Sequence, residues 1–311
     1  KSTEDEVGAD MGLWGQKISL NVTHYEKTTT DVLIAVPLAP SLGQTTTQFQ
    51  NLGRLSNKGW EYTLTADLIT TDKFGFNVVA TGSHNINKVI NLGYQASGAP
   101  VPPIVVNSDQ QHRNGYPVGG YWEVPYTYND ANGDHILSRN EVKMGDTAVY
   151  FGSPTPTHQF TLSPTLTFFK NFRVSALFDH QGGQKLLNLT SRFRCALGNC
   201  QEDFDPNSSL ADQAAAIATN VSSTDAGYIQ DASFTKLREL SVTVTFPQRI
   251  SRAFSARNID LTLAGRNLHT WTKYRGFDPE VNSTAGSNFS TSDFLTVPPN
   301  RTWTARLNVT F

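Results

Sequence analysis

The sequence predicts an all-β protein, an antiparallel transmembrane β-barrel. Three observations carry that expectation: repeated two-residue alternation, connections of very unequal length, and a chain that finishes inside a strand. Over Arg301 to Phe311, Trp303, Ala305, Leu307, Val309 and Phe311 share one face. Thr302, Thr304, Arg306, Asn308 and Thr310 share the other. Such strict alternation marks a strand whose two sides meet different solvents, and about ten residues of it cross a bilayer's hydrocarbon when tilted.

The same pattern recurs upstream. Trp14, Ile18, Leu20 and Val22 alternate with Ser19, Asn21 and Thr23, and Trp60, Tyr62, Leu64, Ala66 and Leu68 with Glu61, Thr63, Thr65 and Asp67. Phe74, Phe76, Val78 and Ala80 give a third strand, and Phe160, Leu162, Leu166 and Phe168 a fourth. A tight Lys170-Asn171 turn joins the fourth to a fifth, with Phe172, Val174, Ala176 and Phe178, as antiparallel neighbours require. Leu240, Val242, Val244 and Phe246 form a sixth, Ile259, Leu261 and Leu263 a seventh, and the C-terminal run an eighth.

Between short turns at Thr70 to Lys73 and Lys170-Asn171 lie spans rich in Gly, Pro, Ser and Asn. Residues 93–157, 182–231 and 276–299 read as long extracellular loops, because outer-membrane barrels place short turns at one end and longer loops at the other. Within the second span, Leu210 to Thr219 reads as a short helix capped by Ser208 or Ser209, or else as an Ala-rich loop. Trp14, Tyr25, Trp60, Phe74, Trp271, Tyr274 and Trp303 fall near strand ends, as an aromatic girdle would.

Bulk properties narrow the class. Of 311 residues, 17% are charged, below the roughly 25% of ordinary soluble domains. Only 38% are hydrophobic, and no run of about 18 apolar residues exists to form a transmembrane helix. The N-terminal KSTEDEVGAD is not a signal peptide, so the chain is expected to begin partway into a longer product. A net charge of −2 with scattered Lys and Arg gives no footprint for nucleic acid.

Few residues invite chemistry. Asp130 to Glu141 has the ligand spacing of a calcium loop: Asp130, Asn132 and Asp134 offer side-chain oxygens, Ile136 a carbonyl, Ser138 a direct or water-bridged oxygen, and Glu141 a bidentate carboxylate. His135 stands where such loops place Gly, and no flanking EF-hand helices are evident; the competing reading is a solvated Asn-Gly-Asp turn. Cys195 and Cys200, four residues apart around a Gly, suit a small disulfide loop in an oxidising compartment, or a pair of free thiols. A zinc site would need a second ligand pair at zinc spacing, which the sequence lacks. No catalytic motif appears, so an enzyme is not expected; Asp179, Glu239 and Asp260 read as single carboxylates on polar strand faces. Asn-x-Ser/Thr sequons at Asn21, Asn188, Asn207, Asn220, Asn282, Asn288, Asn300 and Asn308 read as chance in a Thr-rich alternating chain.

Several segments, in order, resemble the C-terminal portion of the SusC/RagA family of TonB-dependent outer-membrane transporters. Asn51, Gly53, Asn57, Gly59 and Glu61 are similar to the family's "N-x-G-x-x-x-N-x-G-x-E" entry to a strand. Gly115, Pro117 and Gly119 resemble "G-x-P-x-G", Asp130 to Asp134 "D-x-N-G-D", and Gly152, Pro154 and Pro156 "G-x-P-x-P". Arg266, Asn267 and Leu268 with Gly276, Asp278, Pro279 and Glu280 resemble the "R-N-L" and "G-x-D-P-E" pair, the most telling match. The resemblance implies part of a larger barrel that imports glycans, oligosaccharides or peptides in the outer membrane of a Gram-negative cell. It implies a SusD-like surface lipoprotein as partner, TonB as energiser through an N-terminal part this sequence lacks, and a plug domain it also lacks. Phe311 matches the terminal aromatic such barrels present to the barrel assembly machinery for insertion among outer-membrane lipids. The alternative is a soluble secreted all-β sandwich or jelly roll that binds carbohydrate, whose apolar strand faces would pack on a second sheet.

Overall fold

The computed structural model describes residues 1–37, 47–51, 53–95, 97–203, 205–284 and 289–311. Nine antiparallel strands form one sheet in chain order: β1 (Ser2–Leu13), β2 (Ile18–Thr30), β3 (Arg54–Thr70), β4 (Phe74–Asn91), β5 (His158–Phe168), β6 (Phe172–Gly182), β7 (Phe234–Thr245), β8 (Asn258–Thr272) and β9 (Thr302–Thr310). The sheet is open, with β1 and β9 as its edges.

Period-two alternation becomes whole rows once the register is set. One apolar row runs Met11, Leu20, Leu64, Ala80, Leu162, Phe178 and Leu237 across seven strands. The adjoining polar row runs Asp10, Asn21, Thr63, Thr81, Thr161, Asp179 and Lys236. Cross-strand hydrogen bonds knit the polar face, as between Asn21 Nδ2 and Asp10 (2.6 Å) and between the Thr243 and Thr262 hydroxyls (2.9 Å). A one-residue slip would exchange the faces, so the two-sided pattern itself fixes register.

β7 would break this rule without a bulge. Leu237 pairs with Phe178 and Glu239 with Leu177, leaving Arg238 as the extra residue. That insertion keeps Leu237 and Leu240 on the apolar face although they are three apart, and crowds Lys236, Arg238 and Glu239 on the polar face. Leu68, expected among the regular apolar positions of β3, is likewise skipped at the register shift between Asp67 and Ile69.

The apolar face is left uncovered. Trp60 is 50%, Leu263 53% and Leu307 62% exposed, and among the described residues no second sheet packs on them. This overturns the sandwich alternative; the remaining small sheets lie within the connections. At the long-connection end this face carries Trp and His, with His24 on Trp60 (4.6 Å), His158 on His180 (5.4 Å) and His269 on Trp271 (4.4 Å). At the short-turn end it carries Phe74, Phe168 and Phe172. Two such bands suit the two interfaces of a membrane.

Other sequence expectations need correction. Eight strands become nine because β1 has small or scattered apolar residues, Val7, Ala9, Met11 and Leu13, on its outward positions and Thr3 and Asp5 before them, so its alternation is faint. Trp14 belongs to the β1–β2 turn at φ +49°. The hairpin joining β5 and β6 uses Phe169 to Asn171. Tyr25 shares the polar face, opposite Gly59, and Tyr274 is buried among the connections, so neither belongs to a girdle. The candidate sequon Asn288 lies outside the described residues.

Candidate ligand-facing cap

Three long connections, residues 92–157, 183–233 and 273–301, fold together into one cap over the polar face. Its core gathers Tyr121, Leu187, Cys195, Cys200, Ala216, Tyr228 and Ile229 from the first two connections. Helix α1 (Leu189–Ala196) starts at Asn188, whose side chain accepts from Ser191 N; this sequon residue is fully buried. Helix α2 (Leu210–Ser222) is longer than the expected Leu210–Thr219, with Ser209 as its cap. Its Ala214, Ala216 and Ala218 have no exposure, since an Ala face permits close helix packing. A disulfide joins Cys195, in the last turn of α1, to Cys200 just beyond it.

The third connection is stitched to the others by polar groups. Gln110 is fully buried; its Nε2 donates to Gly119 O (2.8 Å) and Phe289 O (2.9 Å), while its Oε1 accepts from Thr291 N (2.7 Å). Tyr121 Oη donates to Thr291 O at 2.7 Å, and Tyr274 Oη to Asp293 at 2.8 Å. A buried amide hydrogen-bonded at both its nitrogen and its oxygen, as Gln110 is, favours one arrangement of the segments around it, which is how irregular chain can form a defined surface.

The cap is anchored to the sheet at one charged cluster. Lys236 on β7, 3% exposed, donates to both carboxylate oxygens of Asp278 (2.8 and 2.7 Å) and to Glu280. Arg238 donates to Asp179 on β6 (Nε, 2.9 Å) and to Glu280 (Nη1, 2.7 Å). Two cations thus sit among three carboxylates. Of the carboxylates expected to stand singly, Asp179 does not, since Arg238 bridges it to Glu280, whereas Glu239 meets only Arg266 and Asp260 accepts from Thr245 and Asn258. Spacing could not reveal the cluster, because its halves are 42 residues apart. The only signal was the "G-x-D-P-E" segment itself.

Beside the anchor lies a cleft of about 200 Å³, lined by Pro154, Gln181, Gln184, Val281, Asn282 and the Glu280 carboxylate among others. Amides, a carboxylate and apolar rings suit hydrogen-bonding ligands with apolar faces.

A second charged group is enclosed within the cap. Burial, then the neighbouring Asp109 charge, pushes the Asp225 carboxyl up to about 6, although Arg192 Nε donates to it at 2.7 Å. Burial raises Asp109 as well.

The turn from Asp130 to Glu141 joins two short strands, Tyr126–Tyr128 and Val142–Met144. Asp130 accepts from Gly133 N (2.9 Å) and His135 N (3.1 Å), Asn132 from Asp134 N (3.2 Å), and Asp134 from Ile136 N (2.8 Å). Glu141 accepts from Ala131 N and from the backbone and hydroxyl of Ser138. His135 takes φ +61°, the left-handed conformation for which Gly is usually reserved. Among the described residues, the carboxylates of Asp130, Asp134 and Glu141 do not converge within metal-binding reach of one another; the one such trio, Cys195, Cys200 and Glu202, includes the disulfide. Phe311 is 84% exposed at the end of β9.

Comparison with known proteins follows this architecture. The family described as TonB dependent receptor-like, beta-barrel matches residues 1–268. TonB-dependent receptor P26 of Formosa agariphila is 26% identical, the match covering 98% of this chain and 34% of that protein. TonB-dependent receptor SusC of Bacteroides thetaiotaomicron is 23% identical over 93% of this chain and 30% of its own length. The solved structure of the RagAB peptide transporter superposes with a TM-score of 0.76 at 21% identity, covering all of this chain and 35% of the matched one. The chain thus spans about a third of the length of these relatives.

Proposed function

Because the chain belongs to the TonB-dependent receptor-like β-barrel family of the outer membrane, we propose that it is of the SusC/RagA kind and forms part of the wall and the outer cap of a nutrient importer. On this reading the long connections face outward and the short turns face the periplasm. The cargo is an oligosaccharide, glycan or peptide, handed over by a SusD-like lipoprotein, and TonB supplies the energy to the intact receptor. The observation that carries the proposal is the Lys236–Asp278–Glu280–Arg238–Asp179 cluster, which ties a folded cap to the inner face of the sheet beside a polar cleft.

The test is uptake of labelled oligosaccharide and peptide mixtures by cells producing the intact receptor with its lipoprotein. Uptake of one class should require TonB and should fall at least tenfold in Gln184→Ala/Asn282→Ala, whose side chains line the cleft. Uptake of neither class, or uptake indifferent to TonB, would sink the reading.

We also propose calcium as the ligand of the Asp130–Glu141 turn, held by Asp130, Asn132, Asp134, the Ile136 carbonyl, Ser138 and Glu141. Oxygen donors at calcium-loop spacing, with His135 left-handed where such loops place Gly, support that ion, whose binding would draw the three carboxylates together. Calcium would brace the cap, since Leu137 N donates to Gln213 of α2 at 2.9 Å. Millimolar calcium should raise the receptor's Tm while magnesium does not, and Glu141→Gln should abolish the difference; equal effects of both ions would refute it.

A further inference from the structure

The short connection between β7 and β8 contains helix α3 (Gln248–Ala253), which no strand pattern requires. It packs at the short-turn end on the apolar, lipid-facing side. There Ile250, Phe254, Ile259, Leu307, Val309 and Phe311 line an almost wholly apolar groove of about 500 Å³. Ile259 is 8% exposed, whereas Phe254 and Phe311 remain 68% and 84% exposed, so the groove is open toward the bilayer.

The charged side chains at its rim are of one sign. Arg249, Arg252 and Arg257 are all exposed, and residues 246–257 contain no Asp or Glu. Among the described residues these three guanidinium groups form no ion pair; Arg252 donates to Gln248 at 3.1 Å. The nearest carboxylate along the chain, Asp260, faces the other side and accepts from Thr245 (2.6 Å) and Asn258 (2.6 Å). A short helix with apolar residues toward the acyl region and arginines at its edge is the arrangement that holds anionic head groups at an interface. Arginine's planar fork also binds phosphate oxygens in pairs.

We infer that α3 and the end of β9 form a binding site for one anionic phospholipid of the leaflet at the short-turn end. An acyl chain would lie in the groove and the phosphodiester against Arg249, Arg252 and Arg257. The occupant is a lipid because the groove opens on the membrane-facing side of the sheet, and it is an anionic one because the charge at the rim is unbalanced. The site is separate from the cargo cleft, which lies at the other end of the strands on the opposite face.

The experiment is native mass spectrometry of the intact receptor in detergent with equal amounts of phosphatidylglycerol and phosphatidylcholine. Phosphatidylglycerol adducts should exceed phosphatidylcholine adducts at least threefold, and Arg249→Gln/Arg252→Gln/Arg257→Gln should erase that preference. Phe254→Ser should weaken retention of both lipids. Excess glycerol 3-phosphate should not displace the bound lipid; displacement would mean the arginines hold a free phosphate and the groove contributes nothing. Equal adducts on the unmodified receptor, or an unchanged preference in the triple variant, would overturn the proposal. The comparison of the two lipids on the unmodified receptor stands even if the variant fails to fold.

Discussion

Lys236 is an ammonium almost wholly removed from water, and its charge is tolerable only because Asp278 and Glu280 surround it. Removing one partner of a buried pair leaves the other charge uncompensated, at a cost on the order of 3–5 kcal/mol, whereas removing both costs far less. Lys236→Met should therefore loosen the cap, seen as faster hydrogen exchange across 274–293, and Lys236→Met/Asp278→Asn should recover most of the protection. Unchanged exchange in the single variant would show that the cap is held elsewhere. A smaller effect is expected at Lys170, which takes φ +67° in the β5–β6 hairpin. Glycine reaches that conformation without strain, so Lys170→Gly should raise stability by about 1 kcal/mol in equilibrium unfolding. A loss instead would mean that the Lys170–Asp72 ion pair outweighs the backbone strain.

At the scale of elements, the cap joins segments whose carboxylates compete for protons. Asp225, just before the strand Ile229–Asp231, lies against Asp109 from the first connection and Arg192 from α1. Its folded pKa of about 6 exceeds the ordinary 3.8, so the folded cap binds a proton more tightly than the open chain does. The resulting stabilisation is full below pH 3.8 and is lost as pH rises through 6. Exchange across α1 and residues 224–231 should be slower at pH 5 than at pH 7.5 once intrinsic rates are corrected, and Asp225→Asn should flatten the difference. Of this cap, helix α2 and the Cys195–Cys200 disulfide were each legible beforehand as one of two readings, but the way its segments meet was not. Periodicity finds strands such as β5 and β6 because a strand between two solvents repeats its neighbour's pattern. Gln110 and Thr291 meet through single side-chain hydrogen bonds 181 residues apart, and no local pattern encodes that. β1 escaped for a different reason: from Ser2 to Gly8 its outward positions include Thr3 and Asp5, which suit a strand extending beyond the hydrocarbon. The charged anchor was half visible, because the motif around Asp278 and Glu280 drew attention while Lys236 and Arg238 looked like ordinary polar-face residues.

For the whole molecule, the two faces of the sheet are two environments, and neighbouring residues on β7 sample them separately. Val242 lies in an apolar row with Phe76, Leu166, Val174, Leu263 and Ala305. Ser241, one residue earlier, faces the other way beside Ser175. If the apolar row meets lipid, an arginine there must carry its charge into hydrocarbon, at roughly 2–4 kcal/mol near the midplane. On the inner face the same side chain meets water and the polar groups of the wall. Val242→Arg should thus lower the unfolding free energy of the receptor refolded into vesicles, read from urea titration, by that amount, while Ser241→Arg should change it little. The pair controls for strand, depth and helix-free context at once, since only the face differs. Equal effects would place both faces in protein or both in water. A larger effect at Ser241 would invert the barrel's sidedness, and with it the assignment of the Lys236–Asp278 anchor and its cleft to the lumen.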